Sequence, residues 1–327
     1  MPDARSSWWL SALLRGGFLV GATLLLLVAL QDIDWARFLQ LLRTLRISWV
    51  ALAVGLNGSI LVLWSLQWRI LVPGENSVPW ASMFLVVSSM AMISNSVPFM
   101  VGQASGVLLL ARYGGIGHAP ALSVYTMEQV AEGIAKIVVV IGVAMLAPLP
   151  ASLARGVQGL AVLVSGLAVT FVVLAFRFRD PPADRPPTSA LGRIKHFGAR
   201  WAHSLEGLRT PRVFGAGIAL ALGMKAAEFG GILAVQQSLG LDLPMGTALL
   251  VLVSVNFATI VSVSPGNLGV FEAASFGAYR LTGVSAEHAL TLSLLQHACY
   301  VIPMVGVGYL YGGRRVFVEL QSPPAPS

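Results

Sequence analysis

A proline–glycine interruption followed by an acid stands inside an apolar stretch near residue 265. The segment reads VSVSPGNLGVFE and ends at Glu272. Pro265 lacks a backbone N–H, and Gly266 and Gly269 permit backbone conformations that are closed to other residues. A broken helix with a carboxylate is tolerated at membrane depth only where protein or a water-filled cavity surrounds it. The segment therefore predicts a solute-binding site whose wall includes Pro265, Gly266, Asn267 and Glu272.

A partial echo of this segment lies in the first half of the chain. In SVPFMVGQ, Pro98 precedes Pro265 by 167 positions, and the glycines four residues later repeat that offset. With one more residue allowed, Glu128 corresponds to Gln296. Two apolar segments interrupted at corresponding places are the best sequence indication of a transporter site. We therefore predict an internal repeat and add these residues to the candidate site: Pro98, Gln103 and Gln296.

Three ionisable residues recur within one apolar span. Glu128, Glu132 and Lys136 lie four positions apart and therefore share one face of a helix. Because charged groups are costly against lipid, this face is predicted to point into the bundle. We include all three residues in the site. The alternative is a structural ion pair with one acid that faces a cavity. Lys225 and Glu228 are similar neighbours, and they are interpreted as a pair that neutralises itself.

The composition is that of a polytopic membrane protein. Hydrophobic residues make up 56% of the chain and charged residues 11%, far from the roughly 25% charged residues of soluble domains. The net charge of +7 is concentrated beside apolar segments, which indicates contact with anionic lipid and not with nucleic acid. A single cysteine excludes a disulfide framework, and the scattered histidines give no metal site. No cofactor is predicted.

The predicted fold is an all-α membrane bundle that forms one integral domain over residues 1–327. It has about eight spans and two broken or re-entrant elements, the latter reaching residues 110 and 280. The predicted spans are Gly16–Leu30, Ser48–Trp68, Trp80–Val97, Pro120–Ala147, Val157–Phe176, Val213–Leu241, Leu243–Ser264 and Ala289–Gly313. If neither broken element crosses, the repeats are parallel. If both cross, there are ten passes and inverted repeats, which we favour because they build alternating access.

Three stretches outside the spans have patterns of their own. Residues 35–47 have one apolar face and are predicted to form an interfacial helix. Residues 177–212 are basic, and apolar residues recur there at three- and four-residue steps. This pattern predicts an amphipathic helix on the cytoplasmic leaflet, with a solvated linker as the alternative. The proline-rich tail, 316–327, is predicted to be disordered.

The interrupted segments resemble a known family, the flippase-like membrane region of lysylphosphatidylglycerol synthases. The resemblance covers about residues 10–315 and rests on NSVP at 95–98 with Gly102, on Glu128 in MEQ, and on SPGNLGVFE at 264–272. The chain is identified as a stand-alone member, some of which occur beside hopanoid genes. Several charges typical of the family are neutral here, at Gln103, at Gln129, and at Gln296 or His297. Headgroup preference or activity can therefore differ.

The resemblance implies a lipid flippase in the cytoplasmic membrane of a bacterium. Its substrate would be a phospholipid or a polyprenoid- or hopanoid-type lipid. Glu272, Glu128 and Glu132 would line the cavity, and Lys136 would contact phosphate or pair with an acid. Helix N-termini after the two prolines would favour anionic headgroups. The alternative is a non-transporting membrane partner of a lipid-synthesising enzyme. An enzyme is not predicted, because 177–212 is too short to bury a catalytic core.

Overall fold

The computed structural model describes residues 33–74, 78–97, 99–146, 151–178, 180, 189–260 and 264–320. These residues form a helical bundle without strands. Its α-helices are α1 Trp35–Arg43, α2 Ile47–Leu71, α3 Trp80–Ser96, α4 Phe99–Tyr113, α5 His118–Leu146, α6 Ala151–Arg177, α7 Ala190–His203, α8 Pro211–Ser238, α9 Met245–Ala258, α10 Val270–Leu281 and α11 Ala286–Leu320. Two 3₁₀ turns, Ser204–Arg209 and Pro265–Asn267, join α7 to α8 and α9 to α10. The predicted all-α membrane class is confirmed.

Several of the predicted elements fall wholly or partly outside the described residues. The first span, 16–30, lies outside them, and so does Pro98. The last helix continues to Leu320, into the stretch predicted to be disordered, and residues 321–327 again lie outside the described part.

Three of the described helices are long and apolar enough to cross a membrane. They are α2, α8 and the part of α11 from Ala286 to Gly313. Their lengths of 25 to 28 residues exceed the roughly 20 residues that a bilayer core requires. Apolar side chains on the outside of the bundle, such as Ile302 and Leu310 of α11, are more than half exposed, as expected of a lipid-facing surface.

Helices α2 and α8 form the central pair of the bundle. They run antiparallel, because Leu56 packs on Gly230 while Leu63 packs on Gly223. The glycines let the two backbones approach closely, as is common between membrane helices. Outside this pair, α3 packs against α11 and α5 packs against α8 and α9.

Four shorter helices pack as two pairs, α3 with α4 and α9 with α10. In the first pair the chain reverses direction, because Gly102 faces Ser94 and Gly106 faces Met90. Helices α9 and α10 have 14 and 12 residues. At 1.5 Å per residue they are about 21 and 18 Å long, shorter than the roughly 30 Å hydrocarbon core. Each pair is therefore a compact helical hairpin.

The interrupted ends of the two hairpins are neighbours inside the bundle. The turn Pro265–Asn267 contacts α3. A β-carbon added to Gly266 would lie 3.0 Å from the carbonyl oxygen of Asn95, two residues before the end of the first hairpin's leading segment at Val97. This contact brings residues far apart in the chain to one interior point, where the candidate site lies.

The basic stretch after α6 contains the amphipathic helix α7. Ser189 caps its N-terminus, with the Ser189 hydroxyl 3.1 Å from Gly192 N. At the other end, Trp201 packs edge-on against Phe171 and donates a hydrogen bond of 3.2 Å to Thr126 Oγ1. The C-terminal part of α7 is thus anchored to the bundle.

Candidate functional site

Two adjoining cavities lie between the interrupted hairpins and the central helices. Their volumes are about 80 and about 180 Å³. Each is large enough for water, since one water occupies about 30 Å³ of the liquid. Both cavities are lined by Glu228, Asn256, Thr259, Asn267 and Tyr300. The site is therefore a polar hollow inside an apolar bundle.

A buried ionic cluster forms one wall of the larger cavity. Lys225 Nζ of α8 lies 2.6 Å from Glu132 Oε1 of α5 and 2.8 Å from Glu228 Oε1. It also donates to Asn256 Oδ1 of α9 at 3.0 Å. Asn256 Nδ2 in turn donates to Glu228 Oε2 at 3.0 Å. Lys136 lies farther from Glu132, at 3.5 Å. Three helices are linked through one ammonium group, which satisfies the pairing that buried charges require.

A further acid lines the same cavity with less compensation. Glu128 is only 3% exposed, and its Oε2 accepts a hydrogen bond of 2.7 Å from Gln129 Nε2. The amide supplies a donor but no charge. In the resemblance an arginine is expected at this position, so the carboxylate here keeps a weaker partner. Glu128 thus has a neutral hydrogen-bond partner where Glu132 and Glu228 have an ammonium group.

Three residues that line the larger cavity each carry a buried polar atom with no hydrogen-bond partner among the described residues. The atoms are Gln103 Oε1, Asn267 Oδ1 and Trp64 Nε1. Gln103 comes from α4 of the first hairpin, whereas Asn267 comes from the turn of the second. A buried polar atom left without a partner is costly, so such atoms indicate a place for water or a ligand.

The second interruption is held by a histidine that the candidate list from the sequence omitted. His297 Nδ1 lies 2.6 Å from Glu272 Oε1, and His297 Nε2 lies 2.8 Å from the carbonyl oxygen of Gly266. The other carboxylate oxygen, Glu272 Oε2, accepts from Gly269 N at 2.7 Å and caps α10. Phe271 stacks on the imidazole with centroids 4.4 Å apart. These contacts fix the left-handed backbone of Gly266, whose φ is +59°.

Hydrogen-bond geometry shows how many protons His297 and Glu272 carry together. Both imidazole nitrogens of His297 face oxygen atoms. Both contacts are hydrogen bonds when the ring carries two protons, or when Glu272 carries one and the ring the other. In either form the Glu272–His297 pair is neutral. It closes the turn without adding charge to the cavity.

The structure places the predicted site residues in two groups. The cavity-lining group is Gln103, Glu128, Glu132, Lys136, Asn267 and Gln296. The group at the turn is Pro265, Gly266 and Glu272, and Glu272 is not among the residues that line either cavity. Residues that the candidate list lacked are Trp64, Lys225, Glu228, Asn256, Thr259, His297 and Tyr300. The sequence feature that could have identified them is a polar or aromatic side chain inside an apolar span.

The sequence matches the model of one protein family over most of its length. The model described as the lysylphosphatidylglycerol synthase TM region matches residues 13–308. The chain belongs to this family. Comparisons with curated proteins and with solved structures gave no match. Membership in the lysylphosphatidylglycerol synthase TM-region family makes the chain a membrane protein connected to lipid metabolism.

Proposed function

We propose that this family member moves an amphipathic lipid between the leaflets of a membrane. The headgroup would occupy the polar cavity while the acyl chains stay in the bilayer. The observation that carries the proposal is the hollow itself, which joins two interrupted hairpins and holds buried groups without partners. An apolar bundle meant only as a scaffold would gain stability from filling such a hollow with apolar side chains.

The packing of the central helices supports an inverted internal repeat. The offset of 167 positions relates Leu56 to Gly223 and Leu63 to Gly230. The contacts Leu56–Gly230 and Leu63–Gly223 therefore exchange with each other when the halves are exchanged. Related helices that pack antiparallel in this way are expected for a two-fold axis in the membrane plane.

The hairpin geometry supports two re-entrant elements. Under an inverted repeat the hairpins enter from opposite sides, so tips that had crossed completely would lie far apart. The proximity of Gly266 to Asn95 favours hairpins that each reach only the middle. The chain would then cross the membrane fewer than the ten times favoured from the sequence, because each hairpin would enter the bilayer and return on the same side. A site at the midplane between repeats is what alternating access requires.

Reconstituted vesicles test the proposed activity. Purified protein is incorporated into liposomes that carry trace fluorescent lipids, and bleaching by external dithionite reports how fast the inner-leaflet label becomes accessible. Wild-type protein is expected to raise the exchange rate well above that of protein-free vesicles. No acceleration with neutral, cationic or anionic headgroups would overturn the proposal and favour a non-transporting partner of a lipid-synthesising enzyme.

Cysteine labelling ties the activity to the cavity. The native Cys299 is buried, and Cys299→Ala provides a background free of cysteine. In that background Thr259→Cys places a thiol in both cavities, and a charged methanethiosulfonate reagent is expected to block exchange. The matched control is Val138→Cys, on a side chain of α5 that is 47% exposed at the outer surface. Equal sensitivity of the two variants would show that exchange does not use the cavity.

A further inference from the structure

Both cations among the described residues that line the cavity already lie next to carboxylates. Lys225 is enclosed by Glu132, Glu228 and the oxygen of Asn256. Lys136, the second ammonium group of the cavity, lies 3.5 Å from Glu132. Glu128 is a third acid among the lining residues, and its hydrogen bond comes from the neutral amide of Gln129. A phosphate would therefore compete with Glu132 and Glu228 for these ammonium groups.

The unpartnered atoms on the residues that line the larger cavity include both acceptors and a donor. Gln103 Oε1 and Asn267 Oδ1 are acceptors, and Trp64 Nε1 is a donor. Gln103 is 5% exposed, so its amide meets little bulk water. An ammonium headgroup has donors alone and would leave the indole N–H unmatched. A hydroxyl both donates and accepts, and several hydroxyls can satisfy the amides, the indole and Glu128 together.

We infer that the cavity receives an uncharged headgroup rich in hydroxyls, a glycerol or sugar carried on a lipid. This inference rests on the proposed function and names its class of substrate. It departs from the anionic headgroup expected from the sequence, because the lysines are occupied by carboxylates. Recognition would come from Gln103 of the first hairpin and Asn267 of the second, so one headgroup would bridge both interrupted elements.

Two measurements test the headgroup class and the transport activity independently of each other. In the vesicle assay, lipids with the same labelled tails carry a glucosyl, a phosphoglycerol or a primary ammonium headgroup. The glucosyl lipid is expected to exchange at least about tenfold faster than the other two, the difference that an unpaired buried polar group produces. In detergent, the apparent melting temperature is followed with hexyl glucoside, hexyl phosphate and hexylammonium. Hexyl glucoside is expected to stabilise the protein most.

Two variants connect the preference to the named atoms. Gln103→Leu removes the acceptor in the first hairpin, and Asn267→Gly removes the second acceptor while tolerating the positive φ of +57° at that position. Each is expected to slow glucosyl lipid exchange by about tenfold and to abolish stabilisation by hexyl glucoside. The matched control is Gln237→Leu on α8, outside both cavities, which should change neither.

Each outcome decides between the two claims. Faster exchange or stronger stabilisation with the phosphate or ammonium compounds would overturn the hydroxyl inference and leave the transport proposal standing. Stabilisation by hexyl glucoside that needs Gln103, without exchange of any lipid, would overturn transport and retain the headgroup class. An absence of both responses would overturn both.

Discussion

Replacing Lys225 by methionine is expected to destabilise the protein strongly. The Lys225 ammonium group is the common partner of Glu132, Glu228 and Asn256, at 2.6, 2.8 and 3.0 Å. The lysine side chain is 7% exposed, and the two acids are 17% and 20% exposed. Methionine keeps most of the volume of the lysine stem, so packing changes little. The loss is therefore mainly that of the ionic contacts.

The expected cost follows from which charge loses its partner. Glu132 keeps Lys136 at 3.5 Å, but within the described part of the chain Glu228 keeps only the Asn256 amide. Removing one partner of a buried ion pair costs about 3–5 kcal/mol because the other charge stays buried. Lys136→Met is the matched control. Its contact is longer and its side chain is 25% exposed, so about 1 kcal/mol or less is expected.

Thermal unfolding of the purified protein in detergent measures this difference. With roughly 2–4 °C per kcal/mol for a chain of this order, Lys225→Met should lower the apparent melting temperature by about 6–20 °C. Adding Glu228→Gln removes the uncompensated charge and should restore part of the loss. Equal shifts for Lys225→Met and Lys136→Met, or a double variant no more stable than Lys225→Met, would refute the cluster as described.

Two glycine positions give further predictions that are measured in the same assay. Gly102→Ala should cost more than about 1 kcal/mol, because its β-carbon would overlap Ser94 across the first hairpin. Gly142→Ala is its control on α5. Apart from the neighbouring backbone of its own helix, no described atom lies within 4 Å of the added carbon, so a neutral or slightly stabilising effect is expected. Gly266→Ala should cost about 1–2 kcal/mol for its left-handed backbone, in addition to contact with Asn95. Melting temperatures of Gly102→Ala and Gly142→Ala that do not differ would contradict the hairpin packing.

The interruption at residue 265 could be predicted from the sequence because its causes are local. Proline and glycine restrict or release the backbone wherever they stand. The turn begins at Pro265, and positive φ angles follow at Gly266, Asn267 and Gly269. The helical class was predictable for the same reason, since uncharged runs of about 20 residues have the length of a membrane-spanning helix, which satisfies its own backbone groups.

The partners within the ionic cluster could not be predicted from spacing. The sequence pairs Lys136 with Glu132 and Lys225 with Glu228, because each pair is adjacent on its own helix. The structure adds the shorter contact between Lys225 and Glu132, which depends on α5 packing against α8. Helix spacing describes one helix at a time, so a contact between helices nearly a hundred residues apart has no local signal.

Glu272 shows the same limit at the turn. The sequence suggested a cavity-lining acid, since a lone carboxylate in an apolar run needs a polar surrounding. The structure supplies that surrounding with His297 and Gly269, so both carboxylate oxygens are already occupied. The polar surrounding that Glu272 needs therefore comes from a histidine 25 residues later in the chain, where the sequence suggested a cavity. The break in the helix near residue 265 is confirmed, and a role of this segment in binding stays a prediction.

The paired charges and the unpartnered amides would have different roles in the proposed transport. The charges of the cavity are paired across helices, which lowers the cost of keeping a polar hollow inside an apolar bundle. The atoms without partners are few, and Gln103 and Asn267 come from different hairpins. A headgroup that bonded to both would hold the two hairpins together, and one that left would release them. Since each amide hydrogen bond contributes only about 0.5–1.5 kcal/mol net, such a site binds weakly enough to discharge its ligand to either side.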